Sequence, residues 1–324
     1  MKNYITLDEL VIQHENIMKN TLKLASLTAY KRRYIQYIQP YFGTSAISSI
    51  NLDRLLQWWS DMTSLKSRNN KNYSTNTLNY SIRGTFNAYM NFAVNMGYIA
   101  QNPLSLIPQY KNPNEVHMNK NNYWTSNEFN NFLSTVDNLL YYSLFYILFF
   151  TGMRIGEVLS LQWNDIDFSR NKLYINKTLR YISKQKGYII SPPKSWRSQR
   201  CIELTDGCIN LLDELFCTYE TYPNFKMSNF VFGNSCFLKY PTIRVNFMKY
   251  ISKSHVKSIT IHGLRHSHAS MLINANVPDY LIADHLGHSV NELYKTYAHI
   301  YISSKEEFFP ILNHLECEFQ NIKS

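Results

Sequence analysis

The sequence predicts a mainly α-helical protein of two domains: an N-terminal helical bundle, then a larger helical domain with a small antiparallel β-sheet or hairpin. Three observations predict it. Apolar residues recur at helical spacing through the first hundred positions and again across much of the second half. One stretch, Lys172 to Leu204, changes to β-type residues with turn signals between them. Between the two regions, Leu104 to Asn122 carries two prolines and no sustained periodicity, a linker composition. A length of 324 residues suits two domains. We place the bundle at 1–112, the linker at 113–122 and the second domain at 123–324.

In chain order, Thr6-Leu7-Asp8-Glu9 reads as a capping box opening a first helix with Leu7, Leu10, Val11, Ile17 and Met18. A second helix carries Tyr30, Tyr34, Ile35, Tyr37 and Ile38, and a third is centred on Leu52, Leu55, Leu56 and Trp59. A fourth carries Leu78, Ile82, Phe86, Met90 and Ala93, with Gly97 as its stop. Leu65 to Thr77 is polar and basic without a carboxylate, which suits either phosphate contact or a solvated loop. Asn102-Pro103 ends the bundle. In the second domain, Trp124 to Glu128 offers a helix start, and apolar helices run to Gly152. The apolar run Leu139 to Phe150 is too short to span a bilayer and reads as a buried helix. After Leu204 the chain returns to helix, with start and stop signals at Pro278 and Gly287.

Composition narrows the function. Charged residues are only 17%, which argues against a disordered polyelectrolyte. The N-terminus lacks the apolar core of a signal peptide, and five cysteines without a CxxC pair read as reduced thiols of a cytoplasmic protein. Net charge is +10, of which residues 1–112 hold +7 (12 Lys+Arg against 5 Asp+Glu). That local excess of cation points to nucleic acid or an anionic surface.

The stretch His262 to Ser270, HGLRHSHAS, gathers three histidines and an arginine, with no carboxylate before Asp279. His262 and Arg265 are three apart and share one helix face. A zinc reading is disfavoured, since an arginine between His262 and His266 repels a dication and the glutamate of HExxH is absent. Phosphate fits better: a guanidinium fork matches two phosphate oxygens, and a neighbouring imidazole can donate or move a proton. Upstream, Arg154 follows a glycine in TGMRIGEVLSLQW. It opens a helix with Ile155, Val158, Leu159 and Gln162-Trp163 behind it and Glu157 one turn on to orient the arginine. Downstream, His288 follows Gly287 on a turn, and Tyr297 comes nine residues later.

TGMRIGE, HGLRHSHAS, LGHS and KTYAH together resemble the motif boxes of the tyrosine recombinases, the lambda-integrase, Cre and Xer-type family. The resemblance covers residues 151–299, and the basic helical N-terminus is similar, more loosely, to the family's core-site DNA-binding domain. It implies a two-domain DNA clamp with a catalytic domain at 123–324. Its nucleophile is Tyr297, which attacks a DNA phosphodiester, forms a 3′-phosphotyrosyl link and releases a 5′-hydroxyl. Arg154 and Arg265 would hold the non-bridging oxygens, His262 would accept the Tyr297 proton or orient its hydroxyl, and His288 would hydrogen-bond the phosphate. PPKSWRSQRCIEL is similar to the family's hairpin lysine stretch and implies Lys194 as the acid for the leaving oxygen; Lys184 and Lys186 are rivals on the same hairpin. Tyr294 and Tyr301 are rivals of Tyr297. His266 and His268 are read as structural or DNA-proximal.

No cofactor, metal or ATP is expected, because the phosphotyrosyl ester keeps the bond energy. The implied partners are double-stranded recombination sites, a homotetramer on synapsed DNA from a monomer without DNA, and directionality or host DNA-bending factors; no membrane partner is expected. The amphipathic tail Ser303 to Ser324 either docks on a neighbouring protomer, as in the family, or packs on its own domain. Core-binding helices beginning at once leave no room for an arm-site domain. The hairpin sequence looks more phage-like than Xer-like, which favours a mobile-element integrase over Xer-like dimer resolution. A type IB topoisomerase, a DNA-binding protein with a degenerate site and a zinc hydrolase are the remaining readings.

Overall fold

Thr6 and Glu9 cap each other at the start of helix α1 (Leu7–Met18): the threonine hydroxyl accepts from Glu9 N–H and the glutamate accepts from Thr6 N–H. The computed structural model of the chain describes residues 5–67, 70–112, 122–183, 187–193 and 195–303. They divide into two units that contact mainly themselves, Met1–Asn119 with Ile182–Gly187, and Lys120–Tyr181 with Tyr188–Ser324.

In the first unit, α2 (Leu24–Arg33) continues through a π-helical stretch, Tyr34–Ile38, into α3 (Gln39–Phe42). The expected second helix is therefore one run with a wider turn in it. Within that turn the Tyr37 carbonyl accepts from buried Trp58 Nε1–H at 2.8 Å, while Ile35, read from spacing as part of the apolar set, faces solvent. Helix α4 (Leu52–Ser64) buries Leu55, Trp58, Trp59 and Met62. A second π-helical stretch, Thr77–Arg83, leads into α5 (Gly84–Asn95), and Gly97 at φ +75° ends it. Part of the aperiodic stretch after Asn102 belongs to this core. Leu104 and Ile107 are buried in it, and Arg83 donates to both their carbonyls, at 2.9 and 2.7 Å.

The second unit is built around α7 (Leu139–Thr151), apolar on all sides because it is covered on all sides. It follows α6 (Ser126–Leu133), capped by Thr125 and Glu128; Phe129 of α6 stacks on Phe149 of α7 at 3.7 Å. A short helix α8 (Ile155–Leu159) comes next. Gln162 and Trp163, expected on that helix, lie beyond its end: Gln162 N–H is taken by Asp165 and a separate 3₁₀ turn, Trp163–Asp165, follows.

Strands β1 (Ile166–Asp167), β2 (Lys172–Ile175), β3 (Thr178–Ser183), β4 (Gly187–Ser191) and β5 (Arg200–Glu203) form two small sheets rather than one hairpin. β5 returns to pair antiparallel with β2 in the order β1-β2-β5, and β3-β4 form the second sheet. The register Leu173↔Ile202 is set by burying both side chains on one face. Helices α9 (Asp206–Glu220), α10 (Tyr240–Ser254), α11 (Ile261–Asn274), α12 (Asp279–Leu286) and α13 (Val290–Ser303) complete the unit. α11 packs on α7, and α12 and α13 pack on α11 around Ala269, Ile273, Ile282, Leu286, Leu293 and Tyr297. Among the described residues no helix is long and apolar enough to cross a membrane.

Candidate active site

The end of α7 sets the first arginine. Gly152 caps α7 in the left-handed region at φ +60°, and a Cβ there would lie 2.6 Å from His268 Cδ2 and 2.8 Å from Leu286 Cδ2. The tight turn brings Arg154 to the N-cap of α8. The second arginine, Arg265, lies on the face of α11 turned toward α7 and is 1% exposed. A buried guanidinium needs its donors used. Arg265 donates to Gly152 O at 2.6 Å and Leu286 O at 2.7 Å, and its Nη2 lies 2.7 Å from His288 Nε2. Arg154 Nη2 reaches Gly287 O at 3.4 Å. Both arginines therefore meet at the turn Leu286–His288 between α12 and α13. Burial pushes the Arg265 pKa down to about 9, with Arg154 and Arg200 adding to it, which still leaves it charged at neutral pH.

The cluster is not without acid. Glu157, 3% exposed, accepts from Arg154 Nη1 at 2.9 Å and from Arg200 Nη2 at 3.1 Å, and its second oxygen holds Arg154 N–H at 2.9 Å. That carboxylate lies on another element, about a hundred residues upstream of Arg265, and acts on Arg265 through space without a hydrogen bond. Arg200, which the motif reading left unused, is buried beside it and donates from Nε to His285 O at 2.7 Å. The signal was the alternation in β5, where Arg200 shares a face with buried Ile202. Arg154 and Arg200 share Glu157, whereas Arg265 bonds to two carbonyls and His288 and to no carboxylate. Arg154, Arg180, Glu157 and Glu292 line a cavity of about 480 Å³, together with Thr178, Gly287, Pro193, Ser195 and Ser198.

Tyr297 lies on α13, 1% exposed, with its ring packed between α11 and α12. Its hydroxyl is 3.1 Å from His266 Nδ1. The sequence reading gave that hydroxyl to His262, as proton acceptor or orienting group, and left His266 structural or DNA-proximal. His262, one turn earlier on α11, instead meets His266 edge to face at 4.8 Å and keeps an exposed side. Partial burial of the ring lowers the His262 pKa, and the charges of Arg265 and Arg154 add to it. The rival Tyr294 points elsewhere: its hydroxyl bonds Asp279 on α12. Lys194, with Lys184 and Lys186, the Tyr301 side chain and the tail beyond 303 lie outside the described residues.

The geometry can now be set beside known proteins. Residues 122–303 match the model of the phage integrase family, more than half of the chain. The chain belongs to the phage integrase family. The matched region is a tyrosine recombinase domain, of the kind that cleaves and rejoins DNA. Relatives come from mobile elements and from Xer-type proteins. The ICEBs1 integrase of Bacillus subtilis is 29% identical over 207 residues, covering 60% of this chain and 55% of that protein. An XerC-like tyrosine recombinase of Caldanaerobacter subterraneus is 24% identical over 330 residues, covering 92% and 80%. The fold is similar to that of the Tn1549 transposon integrase in complex with a circular intermediate DNA. The TM-score is 0.77 at 21% identity, covering 95% of this chain and 100% of that one. A lambda integrase dimer bound to a core site matches with a TM-score of 0.65 at 16% identity.

Two buried histidines of the recombinase domain, His268 and His288, are held neutral. Burial, with the charge of Arg265 next, holds His288 down at about 3, so its 3.9 Å approach to Glu292 is not an ion pair. Burial and His285 hold His268 at about 3 as well, and the two rings share one hydrogen at 3.0 Å between their Nε2 atoms. Among the described residues no three His, Cys, Asp or Glu side chains converge as they would on a metal ion. Glu157 is held below the usual carboxylate range: burial alone would raise it, but Arg200 and Arg154 outweigh burial.

These shifts act in one direction. As pH falls below about 6.5 the unfolded chain binds protons that folded His268 and His288 refuse, so stability is full above 6.5 and declines toward 3. The slope is about 1.4 kcal/mol per pH unit for each histidine. Glu157 adds a further loss as pH falls from the free carboxyl value of 4.5 through its lower folded value. Melting temperatures measured from neutral to mildly acidic pH should therefore fall steadily; a flat profile would contradict the buried neutral histidines.

Arg265→Lys keeps a charge but not the fork that reaches Gly152 O, Leu286 O and His288. With Arg265 as the phosphate-holding group proposed below, single-turnover cleavage is expected to slow by about 10²–10³-fold. Cleavage within tenfold of wild type would show that the fork is dispensable.

Proposed function

We propose that the chain integrates and excises a mobile element by site-specific recombination, with Tyr297 as nucleophile. The observation that carries the reading is the convergence of Arg154, Arg265 and His288 at one turn, with the Tyr297 hydroxyl on the adjoining helix. Arg265, which bonds to no carboxylate, and Arg154 beside it suit a phosphodiester, whose transition state gains negative charge on the oxygens these groups would hold. Tyr297 attacks phosphorus, a 3′-phosphotyrosyl ester forms and the 5′-hydroxyl leaves. A 5′-hydroxyl of the partner duplex reverses the step and joins the exchanged strands. The ester conserves the bond energy, so ATP is not consumed. Lys194 protonates the leaving oxygen; its neighbours Pro193 and Ser195 line the cavity beside Arg154. His288 hydrogen-bonds the phosphate, and His262, exposed one turn from Arg265, faces the DNA.

Residues 1–112 bind the core site, residues 113–122 link the two domains, and 123–324 catalyse. In the first unit Arg32, Arg33, Gln36, Ser67, Thr77 and Ser81 line a groove of about 540 Å³, a basic and hydroxyl-bearing surface suited to a DNA backbone. The partners are double-stranded recombination sites, bound by a homotetramer in the cytoplasm with host or directionality factors. The mobile-element relatives favour integration and excision over chromosome-dimer resolution.

The test is strand exchange in EDTA without ATP, on a plasmid carrying the joined ends of the element and a second one carrying its target. Recombinant joints at a single sequence are expected. Relaxation of supercoils irrespective of sequence, without joints, would move the reading to a type IB topoisomerase.

A further inference from the structure

We propose that His266, through Nδ1, takes the proton of Tyr297 as its hydroxyl attacks phosphorus, an inference that rests on the recombinase reading above. A phenol is a weak nucleophile while it keeps its proton. Here burial holds it more firmly still, pushing the Tyr297 pKa up to about 12 despite the opposing charges of Arg265 and Arg154. The nucleophile therefore needs an acceptor within hydrogen-bond reach. His266 Nδ1 lies 3.1 Å from the hydroxyl, with the two rings 5.4 Å apart and tilted at 66°. In the tautomer with its hydrogen on Nε2, Nδ1 is an acceptor aimed at that oxygen. The ring is fixed on α11 by its own turn and by the edge of His262 at 4.8 Å. His266 and Arg265 are adjacent on α11, so one element carries both the phosphate-holding fork and the proton acceptor.

The step balances. The Tyr297 Oη–H bond breaks and its proton passes to Nδ1. Oη bonds to phosphorus, the P–O5′ bond breaks, and its electron pair leaves on O5′, which takes a proton from the acid assigned to Lys194. On rejoining, the 5′-hydroxyl attacks phosphorus and gives its proton back to the now-neutral acid, and the His266 imidazolium returns its proton to Oη as the phosphotyrosyl bond opens. Among the described contacts, the His262 ring lies against His266 on the same helix, and the charges of Arg265 and of Arg154 ahead of α8 act on the Tyr297 hydroxyl.

The experiment is single-turnover cleavage by the full chain of a nicked duplex carrying the element's joined ends, followed across pH. Wild type, His266→Asn, His266→Ala, His262→Asn and Tyr297→Phe are compared. Wild-type cleavage should fall on the acid side, where a protonated acceptor can take nothing. His266→Asn keeps an acceptor oxygen near the hydroxyl but cannot hold the proton. It should bind DNA as wild type does, cleave about 10²–10³-fold more slowly and lose the acid limb. Added imidazole should restore part of the rate to His266→Ala, which a merely structural role would not allow. Cleavage by His266→Asn within threefold of wild type, or an acid limb lost in His262→Asn and kept in His266→Asn, overturns the proposal. An adduct that survives Tyr297→Phe overturns the recombinase reading of Tyr297 along with it.

Discussion

Tyr297→Phe is expected to abolish DNA cleavage while leaving the fold and DNA binding intact. The ring fills space between α11 and α12, and phenylalanine fills the same space. What is lost is the hydroxyl and its hydrogen bond to His266, worth about 1 kcal/mol of stability. On the proposed mechanism the chemical loss is total, because the ester forms on that hydroxyl. The rival Tyr294 is tied to Asp279, whose hydrogen bond raises its pKa. The measurement is covalent trapping on a nicked duplex beside a binding assay on the same protein. Trapping by the variant at the wild-type level would remove Tyr297 from the mechanism.

Glu157→Ala is expected to cost the second unit about 3–5 kcal/mol, the usual result of stranding a buried cation by removing its partner. Arg200 has only 6% of its side chain exposed and would keep its charge without the carboxylate. For a unit of this size that corresponds to a melting temperature lower by roughly 6–20 °C. Arg154 would also lose both its side-chain and backbone holds, so cleavage should fall further than stability alone explains. Scanning calorimetry and cleavage below the variant's transition separate the two effects. A melting temperature within about 2 °C of wild type would mean that Glu157 is not the counter-ion for this cluster.

Local physics was the legible part of the fold. The capping box at Thr6/Glu9, the helix start within Trp124–Glu128 and the glycines ending helices at Gly97, Gly152 and Gly287 each depend on a few neighbouring residues, and the structure places all of them where the sequence does. The sheet was less legible, because pairing β5 with β2 depends on a partner nearly thirty residues away. Nothing local in Tyr34–Ile38 or Thr77–Arg83 announced a π-helical turn.

In the site, motif spacing named Arg154, His262, Arg265, His288 and Tyr297 without showing who touches whom. His262 and His266 are one turn apart on the same helix, and which of them meets Tyr297 is decided by how α13 packs on α11. Glu157 was legible as a partner of Arg154, three residues away. Its second bond, to Arg200, spans 43 residues and needed the fold. Lys194 was named from the motif alone.

The most direct test of the account is to identify the residue that carries DNA. Wild-type protein is trapped on a nicked duplex from the element's joined ends, digested with protease, and the DNA-linked peptide sequenced by mass spectrometry. The account predicts a single peptide, with the 3′-phosphate of the cleaved strand esterified to Tyr297 and a free 5′-hydroxyl on the released end. A link at Tyr294 or at any other side chain, or a 5′-phosphate left attached to protein, would contradict it.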